Sequence, residues 1–147
     1  MIMLYEGRPA VDLSGIWQYK KEETQKSLEA FMEEELLCPE GWQDIQVPSN
    51  WYLTEIGDYF GTIWFRTKFT APEYQKTEHV WLRFGGLDYI GDVWLNGEYL
   101  GRHEGIFNPF EFDITDLLRK DELNELLVRD SAPRDETEYI NCGLDKD

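Results

Sequence analysis

Apolar and polar residues alternate in short runs along most of the chain. LSGIWQYK (13–20) alternates from Ile16 onward, and HVWLRFGG (79–86) sets Val80, Leu82 and Phe84 against Trp81 and Arg83. A period of two places successive side chains on opposite faces of a strand, so each run predicts a half-buried strand. GTIWFRTKFTAP (61–72) is rich in β-branched and aromatic residues and stops at a proline. GDVWLNGEYLG (91–101) consists of two runs around Asn96-Gly97, a pair that accepts the positive φ of a type I′ turn and predicts a hairpin. FEFDI (110–114) and ELLVRD (125–130) add two more strands. Strands this closely spaced, without helical crossovers, predict an all-β fold, an antiparallel sandwich or barrel.

One segment has a different period. In TQKSLEAFMEEELL (24–37), Leu28, Phe31, Met32 and Leu36 fall at i, i+3, i+4 and i+8. That spacing makes an apolar stripe, with Glu29, Glu33, Glu34 and Glu35 mostly outward. It predicts a short helix inserted near residues 24–37, after the first strand. A single helical turn is expected at 115–118. The domain boundaries follow: an N-terminal arm at 1–12, the sandwich at 13–130, and a polar tail at 131–147, expected to begin a continuation of the chain.

Charge narrows the partners. Thirty acidic against fourteen basic residues give a net charge of −16 over 147 residues. A field of that sign repels phosphate backbones and anionic lipid, so nucleic acid and membrane are not expected partners. Neutral sugars and peptides meet no such penalty. Two cysteines, Cys38 and Cys142, make neither a disulfide framework nor a zinc site, and their pairing is left open. The N-terminus lacks a signal-peptide apolar region and no run approaches a membrane span, so a soluble chain is expected, with a cytoplasmic location favoured.

Catalytic motifs are missing: no G-x-S-x-G elbow, no H-E-x-x-H and no phosphate-cradling glycine loop. No cofactor or metal is expected. His79 opens a strand and reads as exposed; His103 has no spaced Cys or His with which to share a metal. Asp88 and Asp92 read as turn residues, and Asp113 and Asp116 as helix-start caps. The aromatic segment 50–65 contains material for a sugar platform, although most of its rings are expected in the core. Trp51, Tyr52, Tyr59 and Tyr89, which alternation does not bury, are the carbohydrate-binding candidates. His103 and Glu104, set in a loop, keep a ligand role open. Arg66 and Arg83 offer forked donors to hydroxyls or to neighbouring carboxylates.

Five segments, VPSNW (47–51), YFGTIWFRTKF (59–69), VWLRFGGLDYIGDVWLNGEYLG (80–101), HEGIFNPFEFDIT (103–115) and LNELLVRD (123–130), occur in an order and spacing that resembles one family. It is the N-terminal sugar-binding domain of glycoside hydrolase family 2, which contains β-galactosidases, β-glucuronidases and β-mannosidases. The resemblance implies a galactose-binding-domain-like jelly-roll β-sandwich. It also implies that both catalytic glutamates of a retaining mechanism belong to a later (β/α)₈ barrel. Asn124-Glu125 mimics the family's acid/base pair but falls in the last core strand, and is rejected as catalytic. At the position of a pocket asparagine of some β-galactosidases stands Gly61. The expectation is a non-catalytic carbohydrate-binding or accessory domain of a β-galactosidase-like parent, not itself an enzyme. Its partners would be carbohydrate, bound weakly if at all, and the parent's C-terminal domains. The alternatives are a stand-alone carbohydrate-binding module, or a structural domain that docks the barrel.

Overall fold

The alternating runs become two antiparallel sheets in the computed structural model, which describes residues 2–5, 8–22, 28–37, 40–47, 61–87, 90–104, 110–132 and 140–146. In chain order the elements are β1 (Ile2–Tyr5), β2 (Arg8–Asp12), β3 (Gly15–Glu22), α1 (Leu28–Leu37), β4 (Gln43–Val47) and β5 (Gly61–Phe69). They continue with β6 (Val80–Leu87), β7 (Ile90–Leu95), β8 (Glu98–Glu104), β9 (Phe110–Asp113), β10 (Asn124–Ala132) and β11 (Ile140–Lys146). A five-stranded sheet runs β1-β2-β11-β6-β9 and a six-stranded sheet runs β4-β3-β5-β10-β7-β8.

The sheets face each other across one core. Trp17, Tyr19, Ile63, Phe65, Val93, Leu95, Leu126 and Val128 from the larger sheet meet Val80, Leu82 and Phe84 from the smaller. The period of two puts these residues inward and their neighbours outward. Trp17 and Tyr19 are buried in β3, for example, while Ile16 is 63% exposed. The all-β sandwich expected from the runs is therefore the fold.

α1 covers part of the outer face of the six-stranded sheet. Its Phe31 stacks on Trp64 at 4.0 Å, Trp64 lies 5.4 Å from Trp94, and Leu127 completes a second buried cluster. Phe31 and Met32 of the predicted stripe do face the sheet. The period of the insertion thus encodes a helix that buries the tryptophans a two-sided sheet would otherwise expose.

One end of the sandwich is tied by side-chain hydrogen bonds. Asn96 (φ 51°) and Gly97 (φ 85°) turn the β7–β8 hairpin with both residues left-handed, as a type I′ turn requires. Asn124 is fully buried; its Oδ1 accepts from Arg119 N–H (2.8 Å) and from Asn96 Nδ2 (3.0 Å), and its Nδ2 donates to Arg119 O (3.0 Å). Asp113 Oδ1 accepts from the hydroxyl and backbone N–H of Thr115, the cap expected there. The turn that follows is a single one, Leu117 and Leu118 N–H both donating to Ile114 O.

The segments outside 13–130 join the sheets. β1 and β2 supply one edge of the five-stranded sheet, and β11 lies between β2 and β6. INCGLDK of β11 alternates Ile140, Cys142 and Leu144 with Asn141, Gly143 and Asp145, a strand period inside the stretch expected to be a polar tail, and it pairs on both sides, with β2 and with β6.

Candidate functional site at the His103 end of the sandwich

At the other end, β3, β6, β8 and β10 finish while β5, β7, β9 and β11 begin. The cross-strand register aligns the terminal residues of the larger sheet in two rows. Ile63, Asp130, Gly91 and His103 form one, on the core side; Thr62, Ser131, Ile90 and Glu104 form the next, on the outer side. Thr62 Oγ1 and Ser131 Oγ share a hydrogen bond of 3.0 Å.

The two predicted site residues within the described chain are in a strand, not a loop. His103 and Glu104 close β8, and consecutive strand positions project to opposite faces. They therefore do not converge. The His103 ring turns toward the core and stacks on Phe110 at 4.1 Å, and Phe110 stacks on Phe84 at 4.8 Å. This aromatic column links the edge of one sheet to the other. His103 Nε2 is buried with no hydrogen-bond partner among the described residues. Beside it, Gly91 has no side chain, and the next residue in the row is the buried Asp130. Glu104 is exposed. Trp51, Tyr52, Tyr59 and Tyr89 lie outside the described residues, as do Asp88 and the side chains of Cys38 and Cys142.

Two buried carboxylates of the described chain, Glu22 and Asp92, hold arginine partners. Glu22 accepts Trp64 Nε1 (3.1 Å) and both arms of Arg129 (3.0 and 3.2 Å). Asp92 accepts Tyr99 Oη (2.7 Å) and a bidentate pair from Arg102 (3.0 and 3.1 Å). Burial, followed by the hydrogen bond to Asp92, raises the Tyr99 phenol above its ordinary value; the same carboxylate holds Arg102 more firmly protonated. On the surface, the Thr115 hydroxyl, aided by its backbone N–H and by His79, lowers the Asp113 carboxyl. His79 is exposed, as expected, with Nδ1 2.8 Å from Asp113 Oδ2.

Asp92 is thus a buried ion-pair residue of β7, not a turn residue. Asn124 is a structural knot, and Glu125, exposed beside it, offers its backbone N–H to Asn96 Oδ1 at 2.9 Å. Arg83 pairs with Glu111 at 3.7 Å, whereas Arg66 donates to Gln18 and lies 4.0 Å from the Trp42 ring centre. Sequence reasoning missed Glu22, Arg129 and Asp130. The available signal was a charge at an inward or helix-covered strand position, which is stable only when paired. Among the described residues no group of three or more His, Cys, Asp or Glu can hold a metal, and no helix is long and apolar enough to cross a membrane.

The family described as glycosyl hydrolase 2 galactose-binding domain-like matches residues 17–141. A β-glucuronidase of Streptococcus agalactiae is 29% identical over 109 residues, covering 74% of this chain and 17% of that protein. A β-galactosidase of Thermoanaerobacter pseudethanolicus is 34% identical over 81 residues, covering 55% of this chain and 11% of that protein. Among solved structures, a β-glucuronidase from an uncultured Clostridium species superposes with TM-score 0.78 at 28% identity, over 99% of this chain and 31% of that one. The chain spans less than a third of each of these relatives.

Proposed function

The chain belongs to the glycosyl hydrolase 2 galactose-binding domain-like family, and from that premise we propose that it serves as the non-catalytic sugar-binding or accessory domain of a retaining β-glycosidase. The observation that carries this reading is the match over 17–141, which takes in the strands from β3 to β10. The parent is read as cleaving O-glycosidic bonds of β-galactosides, the expectation from sequence, or of β-glucuronides, the activity in the names of several relatives. The parent's remaining domains are the intended neighbours of this one.

In this reading the end marked by His103 and Gly91 is the carbohydrate-facing end. Trp51, Tyr52, Tyr59 and Tyr89 are the proposed contacts, with His103 approached from the core side of β8 and Glu104 from its outer side. The buried Nε2 of His103, without a partner among the described residues and beside the side-chain-free Gly91, supports a hydrogen-bonding role there, to a sugar hydroxyl or to a backbone carbonyl.

Nitrophenyl β-galactoside and β-glucuronide tested against the pure chain should release no nitrophenol. The polypeptide that contains this domain should turn over one of them, and lose that turnover when residues 1–147 are deleted. Turnover by the chain alone, abolished by Glu104→Gln, would refute the accessory role.

A further inference from the structure

The outer face of the six-stranded sheet is only partly covered. α1 shields Trp64, Trp94 and Leu127, and Phe31 meets Trp42 edge-on at 6.3 Å. Beyond Trp42 no described residue covers the sheet, leaving a groove of about 450 Å³ whose side chains include Ile16, Gln18, Asp44, Arg66, Lys68 and Glu125. Cross-strand register puts Asp44, Gln18 and Arg66 in one row and Lys68 with Glu125 in the next. Ile16 is the most exposed large apolar side chain among the described residues.

The chemistry of this groove is specific. Two cations and two anions balance locally, although the whole chain carries −16. Arg66 is held in place by its bond to Gln18 (2.9 Å) and by the Trp42 ring, leaving its terminal guanidinium nitrogens as potential donors. Asp44 and Glu125 are exposed acceptors, and Lys68 is an exposed donor. Planar donors and acceptors surrounding an aliphatic patch match a pyranose, which has a C–H face and a rim of hydroxyls that both donate and accept. The volume lies within the usual range for small-molecule sites. The surrounding negative field opposes anionic sugars.

We propose that this groove is a second carbohydrate site, separate from the His103 end of the sandwich, and takes a neutral oligosaccharide. The choice of a glycan among neutral ligands rests on the glycosidase reading; the position and the charge preference do not. A sugar lying in it would keep one face in water, so weak binding, of the order of millimolar, is expected.

The test is a ¹H–¹⁵N NMR titration of the chain with lactose and cellotriose, and with glucuronate as the anionic control. The neutral sugars should shift the amides of Ile16, Gln18, Arg66 and Lys68 saturably. Lys68→Ala and Asp44→Asn, both at exposed positions, should preserve signal dispersion and each weaken binding about tenfold, the loss of one charge-assisted hydrogen bond. Shifts confined to Ile90, Gly91, His103 and Glu104 would overturn the groove while leaving the accessory-domain reading intact. The groove also fails if tens of millimolar of either neutral sugar move nothing, or if glucuronate shifts it as strongly. Turnover by the whole polypeptide reports separately on the glycosidase reading, so the two can fail independently.

Discussion

Glu22 and Arg129 provide the sharpest test of how the outer face of the sheet is held. The Glu22 side chain is 1% exposed and that of Arg129 14%; they are joined by two hydrogen bonds, and the same carboxylate accepts the Trp64 indole. Glu22→Ala strips the guanidinium of its buried counter-ion and leaves the indole N–H without its acceptor. Breaking a buried pair from one side costs about 3–5 kcal/mol. For a domain of this size that corresponds to a fall in Tm of roughly 10 °C or more. Glu22→Gln keeps an acceptor for Trp64 but removes the charge, so it should cost less, about 2 kcal/mol. Glu22→Leu combined with Arg129→Met removes both desolvation penalties together and should recover most of the loss. Urea denaturation followed by tryptophan fluorescence reads these differences directly, with wild type, Glu22→Leu, Arg129→Met and the double variant forming a double-mutant cycle and Glu22→Ala and Glu22→Gln measured beside them. If Glu22→Ala costs less than about 1 kcal/mol, the pair behaves as a surface salt bridge. The assignment of Glu22 as a buried anchor would then be wrong. A double variant no better than the single ones would refute the charge-burial reasoning in another way.

Three further outcomes are expected. Asn124→Ala should cost about 2–4 kcal/mol in chemical denaturation, because the backbone N–H and C=O of Arg119 lose a buried partner in one step. Gly101→Ala should cost about 1–2 kcal/mol, since at φ 151° an added Cβ would sit 3.0 Å from Phe112 Cε1; an unchanged melting temperature would show that the ring simply moves. Asp113 has a folded pKa below its unfolded value of about 3.9, so its contribution is present above that pH and disappears as pH falls through the folded value. The stability gap between the wild type and Asp113→Asn should therefore narrow as pH drops below about 4. A gap that stays constant down to pH ~2 would contradict it.

The sequence by itself determined β3 and β5 to β10, the hairpin and the inserted helix, because each follows from local chemistry. Period-two alternation needs only one buried face, Asn96-Gly97 needs only positive φ, and the stripe through Phe31 and Met32 needs only a helical period. Five ordered segments also carried the family, which the match over 17–141 bears out. β1, β2, β4 and β11 were not legible as strands: they are short or lie in polar surroundings, and for β11 the alternation of Ile140, Cys142 and Leu144 reads as part of the tail until its pairing between β2 and β6 places it. Nor were the partners of Glu22, Asp92 and Asn124 legible. Glu22 meets Arg129 across 107 positions of chain, and nothing local distinguishes a paired buried charge from a solvated one. Tertiary structure alone decided that His103 and Glu104, adjacent in sequence and joined in expectation, face opposite sides of an edge strand. Strand pleating separates neighbours, whereas cross-strand register brings distant residues such as Asp44, Gln18 and Arg66 into one row.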